Sequence, residues 1–204
     1  MSNIQLPLQV ESRRMVMHNL DVLYPYIISG TNAYAIQKMN QQIMNLVKRL
    51  IIEQGYYQNP QTTQVYGSFE IKNNQRGVFS LNIINYTYIY QHAHGMTITK
   101  SLTFDIQTGK VYELKDLFKP GSDYTKVLSE IVQKQIKERE IPVIEEFKGI
   151  KPDQDYYIAD KALVVYYQLY ELAPYAYGFP MFVISVYEVD DIVKEDGPFG
   201  VMIG

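Results

Sequence analysis

The 204-residue chain contains no cysteine, no tryptophan and only three histidines. Without cysteine there are no disulfides, thiolate metal sites or cysteine nucleophile, and the compartment is left open. Three histidines leave few choices for a general base or an imidazole ligand. Long apolar runs are missing as well: no stretch approaches the ~18 residues a membrane-spanning helix needs. The opening MSNIQLPLQVESRR lacks the basic-then-apolar order of a secretion signal, so the sequence as written is expected to be cytoplasmic with no membrane span. There is no GxSxG, HExxH, P-loop or GxGxxG signature. Basic residues are scattered rather than clustered, which argues against a nucleic-acid partner.

Apolar residues make up 47% and charged residues 20%, the balance of a folded chain. The length suits one domain, or two halves sharing a core. A natural division gives an N-terminal strand-helix part (1–76), a C-terminal part (77–190) and a tail (191–204). Charge is lopsided. Residues 1–102 hold 8 Lys/Arg against 4 Asp/Glu, whereas residues 103–204 hold 11 against 18. An acidic half of this kind can steer a basic protein toward it. Nineteen tyrosines against eight phenylalanines is an unusual ratio. Tyrosine carries a large apolar ring and a hydroxyl on one stiff side chain, which suits interfaces, sugar-stacking platforms and half-buried sheet positions alike.

Residues 5–28 read as extended, with Pro25 confining the end to an edge or turn. Ile36, Met39, Ile43, Leu46, Val47, Leu50 and Ile51 recur at three and four, which predicts an amphipathic helix capped by Thr31 or Asn32 and closed by Gly55. Residues 63–71 and 77–91 predict a hairpin around Asn73–Gly77. In its second strand Phe79, Leu81 and Ile83 share one face, yet the pattern resumes at Ile84, Tyr86, Tyr88 and Tyr90. A β-bulge near Ile83-Ile84 would keep both sets facing the core. Residues 96–105 alternate apolar with threonine and serine, predicting a strand with one wet face. Ser122 is placed to cap a second helix carrying Val127, Leu128, Ile131, Val132, Gln135 and Ile136, ending before Pro142. Apolar strands at 162–170 and 181–187 read as buried on both faces, and the glycine-rich tail GPFGVMIG as loose. Clustered strands interrupted by only two long helices make the fold class α+β, a mostly antiparallel sheet with two long helices packed on it.

Two groups of residues carry candidate chemistry. His92 and His94, as alternate residues of a strand, would point the same way about 7 Å apart and could share a metal, the basis of a metal-assisted hydrolase reading. Adjacent carboxylates such as Glu145-Glu146 diverge in regular structure and offer no acid-base pair. The segment Tyr170–Gly178, with Pro174, Tyr175, Tyr177 and Gly178 between buried strands, describes a stiff loop with exposed rings, a common vehicle for recognition. A carbohydrate-binding reading rests on the same rings, since tyrosines stack on glycans.

Four segments together resemble the RsiV-like family, the extracytoplasmic domain of the anti-sigma-V factor and its relatives. They are AHG at Ala93–Gly95, TFDIQTGK at Thr103–Lys110, LKDLF at Leu114–Phe118 and YELAPYAYG at Tyr170–Gly178. The resemblance covers residues 77–190, and residues 10–76 are similar to the partner domain that often precedes it. It implies a non-catalytic, cofactor-free module for lysozyme binding or cell-envelope sensing. Its partner would be lysozyme or another basic wall-associated protein, met by His92, His94, Gly95, Pro174, Tyr175, Tyr177 and Gly178. The chain departs from the family in lacking an anchor and a sigma-binding segment, and in having Gln91-His92 where relatives often carry two glycines.

Overall fold

The computed structural model describes residues 8–30 and 32–203. The chain forms two compact units, Met1–Val111 and Tyr112–Gly204, and its class is α+β. Thr31 and residues 5–7 lie outside the described residues.

The first unit is a five-stranded sheet with one helix on its inner face. Strands β1 (Gln9–Met17), β2 (Leu20–Ser29), β3 (Thr63–Gln75), β4 (Val78–Ile89) and β5 (Met96–Asp105) lie side by side in chain order, antiparallel except for the short β2–β3 pairing. The extended stretch at the start is therefore a hairpin, turned at Asn19 with φ 56°. Only Leu20–Val22 of β2 pair with β3, so Pro25 sits where β2 has a neighbour on one side alone and its missing N–H costs no ladder bond. Helix α1 (Ala33–Glu53) closes the open edge. The Asn40 amide donates to Ile27 O and accepts from Ile27 N, both at 2.8 Å, as a partner strand would. Asn32 caps α1 through its side-chain oxygen. Ala35, Met39, Ile43, Val47, Leu50 and Ile51 are buried against Leu20, Val22, Ile27, Val65, Leu81 and Ile83 of the sheet. Each of these side chains other than that of Ala35 contributes about 1.5–3 kcal/mol.

Strand β4 departs from expectation. Its register with β3 and β5 runs unbroken through Ile83 and Ile84. The irregularity lies on β3 between Ile71 and Asn73, and the hairpin turn is Arg76-Gly77, both with positive φ (53° and 77°), the pattern of a two-residue turn. With no bulge in β4, strict alternation continues. Asn85 and Thr87 occupy the inner face and are buried, while Tyr86 points outward and is exposed. The aromatic run was expected to face the core; the unbroken ladder turns it away. On β5 the expected wet face is not wet throughout, since Thr99 and Thr103 are buried.

The second unit is built on a three-stranded antiparallel sheet, β6 (Tyr156–Ala159), β7 (Ala162–Tyr166) and β8 (Met181–Ser185), with β7 central. Helix α2 (Tyr124–Glu138) is capped by Asp123, whose carboxylate accepts from Lys126 N, and not by Ser122, whose hydroxyl donates instead to Lys119 O. Leu128, Val132 and Ile136 are its buried stripe. β7 is buried on both faces, as LVVY suggested. β8 is an edge strand with Val183 57% exposed. Side chains of α2 and of its C-cap Arg139 cover that edge: Gln135 Nε2 donates to Val183 O and Arg139 Nη1 to Met181 O, both at 2.7 Å, which blunts an otherwise open edge. The tail is packed, not loose. Phe199 and Met202 are fully buried, and Gly200 is pressed so closely on the Lys194 and Glu195 backbone that a Cβ there would collide.

Candidate functional site

Residues 170–178 connect β7 to β8 as a short, tightly bonded turn. Tyr175–Tyr177 form one turn of 3-10 helix, with Tyr177 N–H donating to Pro174 O at 2.9 Å and Gly178 N–H to Tyr175 O at 3.0 Å. Gly178 ends it at φ 82°, ψ −148°, a conformation essentially confined to glycine. Pro174 presets the entry at φ −57°. The rings are held as well as displayed. Tyr170 and Tyr175 pack with centroids 5.5 Å apart, and the Tyr177 hydroxyl accepts from Arg139 Nη2 at 3.4 Å. Tyr170 is 49% exposed and Tyr177 36%, whereas Tyr175 is half-buried. Arg139, which also covers the β8 edge and lies 5.5 Å over the Phe182 ring, was not singled out from sequence; its role depends on a helix C-terminus meeting a strand 42 residues later.

Two concavities flank α2 and the loop after it. A groove of about 810 Å³ runs along the polar face of α2, with Lys126, Lys134, Lys137 and Lys148 on its rim and Phe147 in its wall. Gly149, at φ 115°, brings that wall against Ser129, whose hydroxyl accepts from Ile150 N–H at 2.9 Å. A smaller cleft of about 420 Å³ is lined by Phe147, Lys151, Tyr167, Tyr170 and Glu171. Lys151 and Glu171 pair at 2.6 Å on its rim. The Tyr167 hydroxyl is buried with no hydrogen-bond partner among the described residues. Burial first, and the Glu171 charge second, push its pKa well above the ordinary tyrosine value.

His92, His94 and Gly95 lie in the first unit, in the turn from β4 to β5. Residues 92–95 are loop, not strand, so the alternate-residue argument for a shared metal fails in its premise. Both histidines are exposed. His94 Nδ1 lies 2.9 Å from Gly95 O, a contact that requires the proton on Nδ1 because the carbonyl can only accept. Among the described residues, no group of three His, Asp or Glu side chains is placed to hold a metal ion, and no helix is long and apolar enough to cross a membrane. The seven candidate residues thus fall into two groups, one in each unit.

Fold and loops define an α+β protein of two units whose elaborated turn joins β7 to β8. A family model described as "Protein of unknown function (DUF3298)" matches residues 115–187, a little over a third of the chain and all within the second unit. Two solved structures share the fold over nearly its whole length. BF2082, a member of the DUF3298 family from Bacteroides fragilis NCTC 9343, superposes with a TM-score of 0.74 at 14% identity, covering 98% of this chain and 99% of that one. PA4972, a DUF3298 family protein from Pseudomonas aeruginosa PAO1, gives 0.73 at 14% identity, covering 93% and 96%. At that identity they establish the fold alone. No curated protein matches the chain.

Proposed function

We propose that this chain is a non-catalytic protein-binding module that recognises a basic partner, by analogy with the RsiV-like family a lysozyme or another wall-associated protein, through the Tyr170–Gly178 turn. The observation that carries this reading is the turn itself. The exposed Tyr177 and the half-buried Tyr175 are mounted on a 3-10 turn whose entry is preset by Pro174 and whose exit only glycine adopts, with the exposed Tyr170 packed on Tyr175, so little conformational entropy is lost when the rings are covered. The second unit holds 10 Lys/Arg against 17 Asp/Glu, a field that favours encounter with a cationic surface.

The test is direct binding of purified lysozyme by calorimetry, repeated with Tyr175→Ala and Tyr177→Ala. Loss of an anchoring ring should weaken the complex by about tenfold or more, and association should slow as salt rises. Absence of saturable binding would sink the lysozyme reading. Binding that ignores both tyrosines would remove the turn as its site.

A further inference from the structure

Because β4 carries no bulge, its tyrosines join a row of outward side chains that crosses the whole five-stranded sheet. Val16, Asp21, Tyr66, Tyr86 and Thr97 are register partners in turn, one from each strand. Cross-strand partners share a face. This is the face opposite α1, since the alternating Val22 and Val65 belong to the core that α1 covers. Tyr66 is 53% and Tyr86 38% exposed. Among the described residues, no protein group hydrogen-bonds the hydroxyl of either ring. The next row adds the half-buried Tyr88, opposite Gln64.

Two neighbouring features organise the row. Gly95 returns the β4–β5 turn against Tyr86 so closely that a Cβ would overlap the ring carbons and hydroxyl. The turn therefore buttresses one edge of the ring and leaves the rest to solvent. Beside Tyr66, Arg14 clasps Asp21 through two hydrogen bonds, Nε to Oδ1 at 2.7 Å and Nη2 to Oδ2 at 2.5 Å. Their charges cancel, and the exposed guanidinium and partly exposed carboxylate keep further donors and acceptors beside the row.

The size and chemistry of this face select its occupant. Strands β1 to β4 span about 15 Å at ~4.8 Å per spacing, and four residues along a strand span about 13 Å, so the open platform is roughly 200 Å². A stable protein interface needs about 800 Å² from each partner. The row suits a small, uncharged ligand with a flat apolar face and a polar rim, which describes a pyranose ring: its C–H face lies on the aromatic rings and its hydroxyls reach charged and amide groups at the edge. We propose that the Tyr66–Tyr86 row is a binding platform for a neutral oligosaccharide, with the two tyrosines stacking on sugar rings and the Arg14–Asp21 pair hydrogen-bonding their hydroxyls. It lies in a different unit from the Tyr170–Gly178 turn and stands or falls separately from the proposed protein partner.

The experiment titrates the full chain with chitotetraose, cellotetraose and maltotetraose by calorimetry. Saturable binding of at least one is expected, weakened about tenfold or more by Tyr66→Ala and by Tyr86→Ala. It should be unchanged in Tyr34→Ala, whose ring is 72% exposed on α1. Melting curves check that each variant is folded. In the unaltered protein, sugar-induced shifts of tyrosine-ring NMR signals should be confined to Tyr66, Tyr86 and Tyr88. No saturable binding of any of the three sugars overturns the proposal, as does binding that survives the double alanine variant or ring shifts at other tyrosines.

Discussion

Replacing Gly178 by alanine isolates the rigidity of the Tyr170–Gly178 turn from its surface chemistry. At φ 82° and ψ −148° the backbone occupies a region that an L side chain enters only under strain. A Cβ at this position meets nothing within 4 Å. The cost is therefore conformational, about 1–3 kcal/mol, offset by the roughly 0.4–1 kcal/mol that alanine removes from the freedom of the unfolded chain. A net loss of about 1–2 kcal/mol remains, which for a chain of this size lowers Tm by about 2–8 °C. If the turn opens locally instead, the same free energy appears as faster amide exchange at Tyr177 and Gly178, whose N–H groups close the 3-10 turn. Chemical denaturation and hydrogen exchange together read both routes. The variant removes no ring and no charge, so any weakening of partner binding measures the value of preorganisation. A Gly178→Ala protein with unchanged stability and unchanged exchange at both amides would refute the reasoning, because the glycine-only conformation would then not be enforced in solution.

Two further substitutions test buried polar groups. Asn85 is fully buried, and among the described residues neither its side-chain amide nitrogen nor its oxygen finds a partner, so Asn85→Leu, nearly the same shape, should raise stability by about 1–3 kcal/mol; a variant measurably less stable in denaturant unfolding would refute this. Tyr167→Phe removes a buried hydroxyl with no partner among the described residues and should be neutral to about 1 kcal/mol stabilising. Because burial raises the Tyr167 pKa in the folded state, its contribution is fully present below the unfolded tyrosine pKa and is lost as pH climbs toward the folded one; in Tyr167→Phe the alkaline loss of stability above about pH 10 should be shallower, and an identical pH profile would refute the assignment.

The elements that sequence disclosed best are those whose period was clean. α1 announced itself through seven apolar positions at helical spacing and a capping Asn32, and β5 through Met96, Ile98, Leu102 and Phe104 alternating with threonine and serine, broken on the apolar side by Lys100. The class followed from them. The errors have a common physical origin, which is that composition does not report what a residue touches. Glycines in the tail suggested looseness, but Gly200 lets one segment of backbone lie directly on another. β8 reads as apolar throughout, yet its Val183 is exposed and the strand is an edge covered by Gln135 and Arg139, polar residues 48 and 42 positions away. The turn at Tyr170–Gly178 was legible because Pro and Gly bracket the aromatics. The Tyr66–Tyr86 row was not, because it exists only once β3 and β4 are set in register.

That register turns the second half of β4 inside out relative to its hydrophobicity. Asn85 and Thr87 take the inward positions while Tyr86 goes outward, and the cost is incurred twice: buried polar groups lack protein partners, and an aromatic ring that would contribute about 1.5–3 kcal/mol on burial stays in water. The arrangement is nonetheless braced. Gln54, at the end of α1, donates from Nε2 to Asn85 O at 2.9 Å. Gly67, opposite Asn85 on β3, has no side chain, and a Cβ there would crowd Val22 and sit 2.8 Å from Asn85 Oδ1. Local rules broken in concert at one place, with neighbours shaped to accommodate the break, mark positions held for something other than stability. The two tests converge here. If Asn85→Leu stabilises the protein while Tyr66→Ala and Tyr86→Ala abolish sugar binding, the inversion of β4 is a functional feature of the sheet; if the first holds and the second fails, the outward rings have no use on this face and the glycan platform is lost.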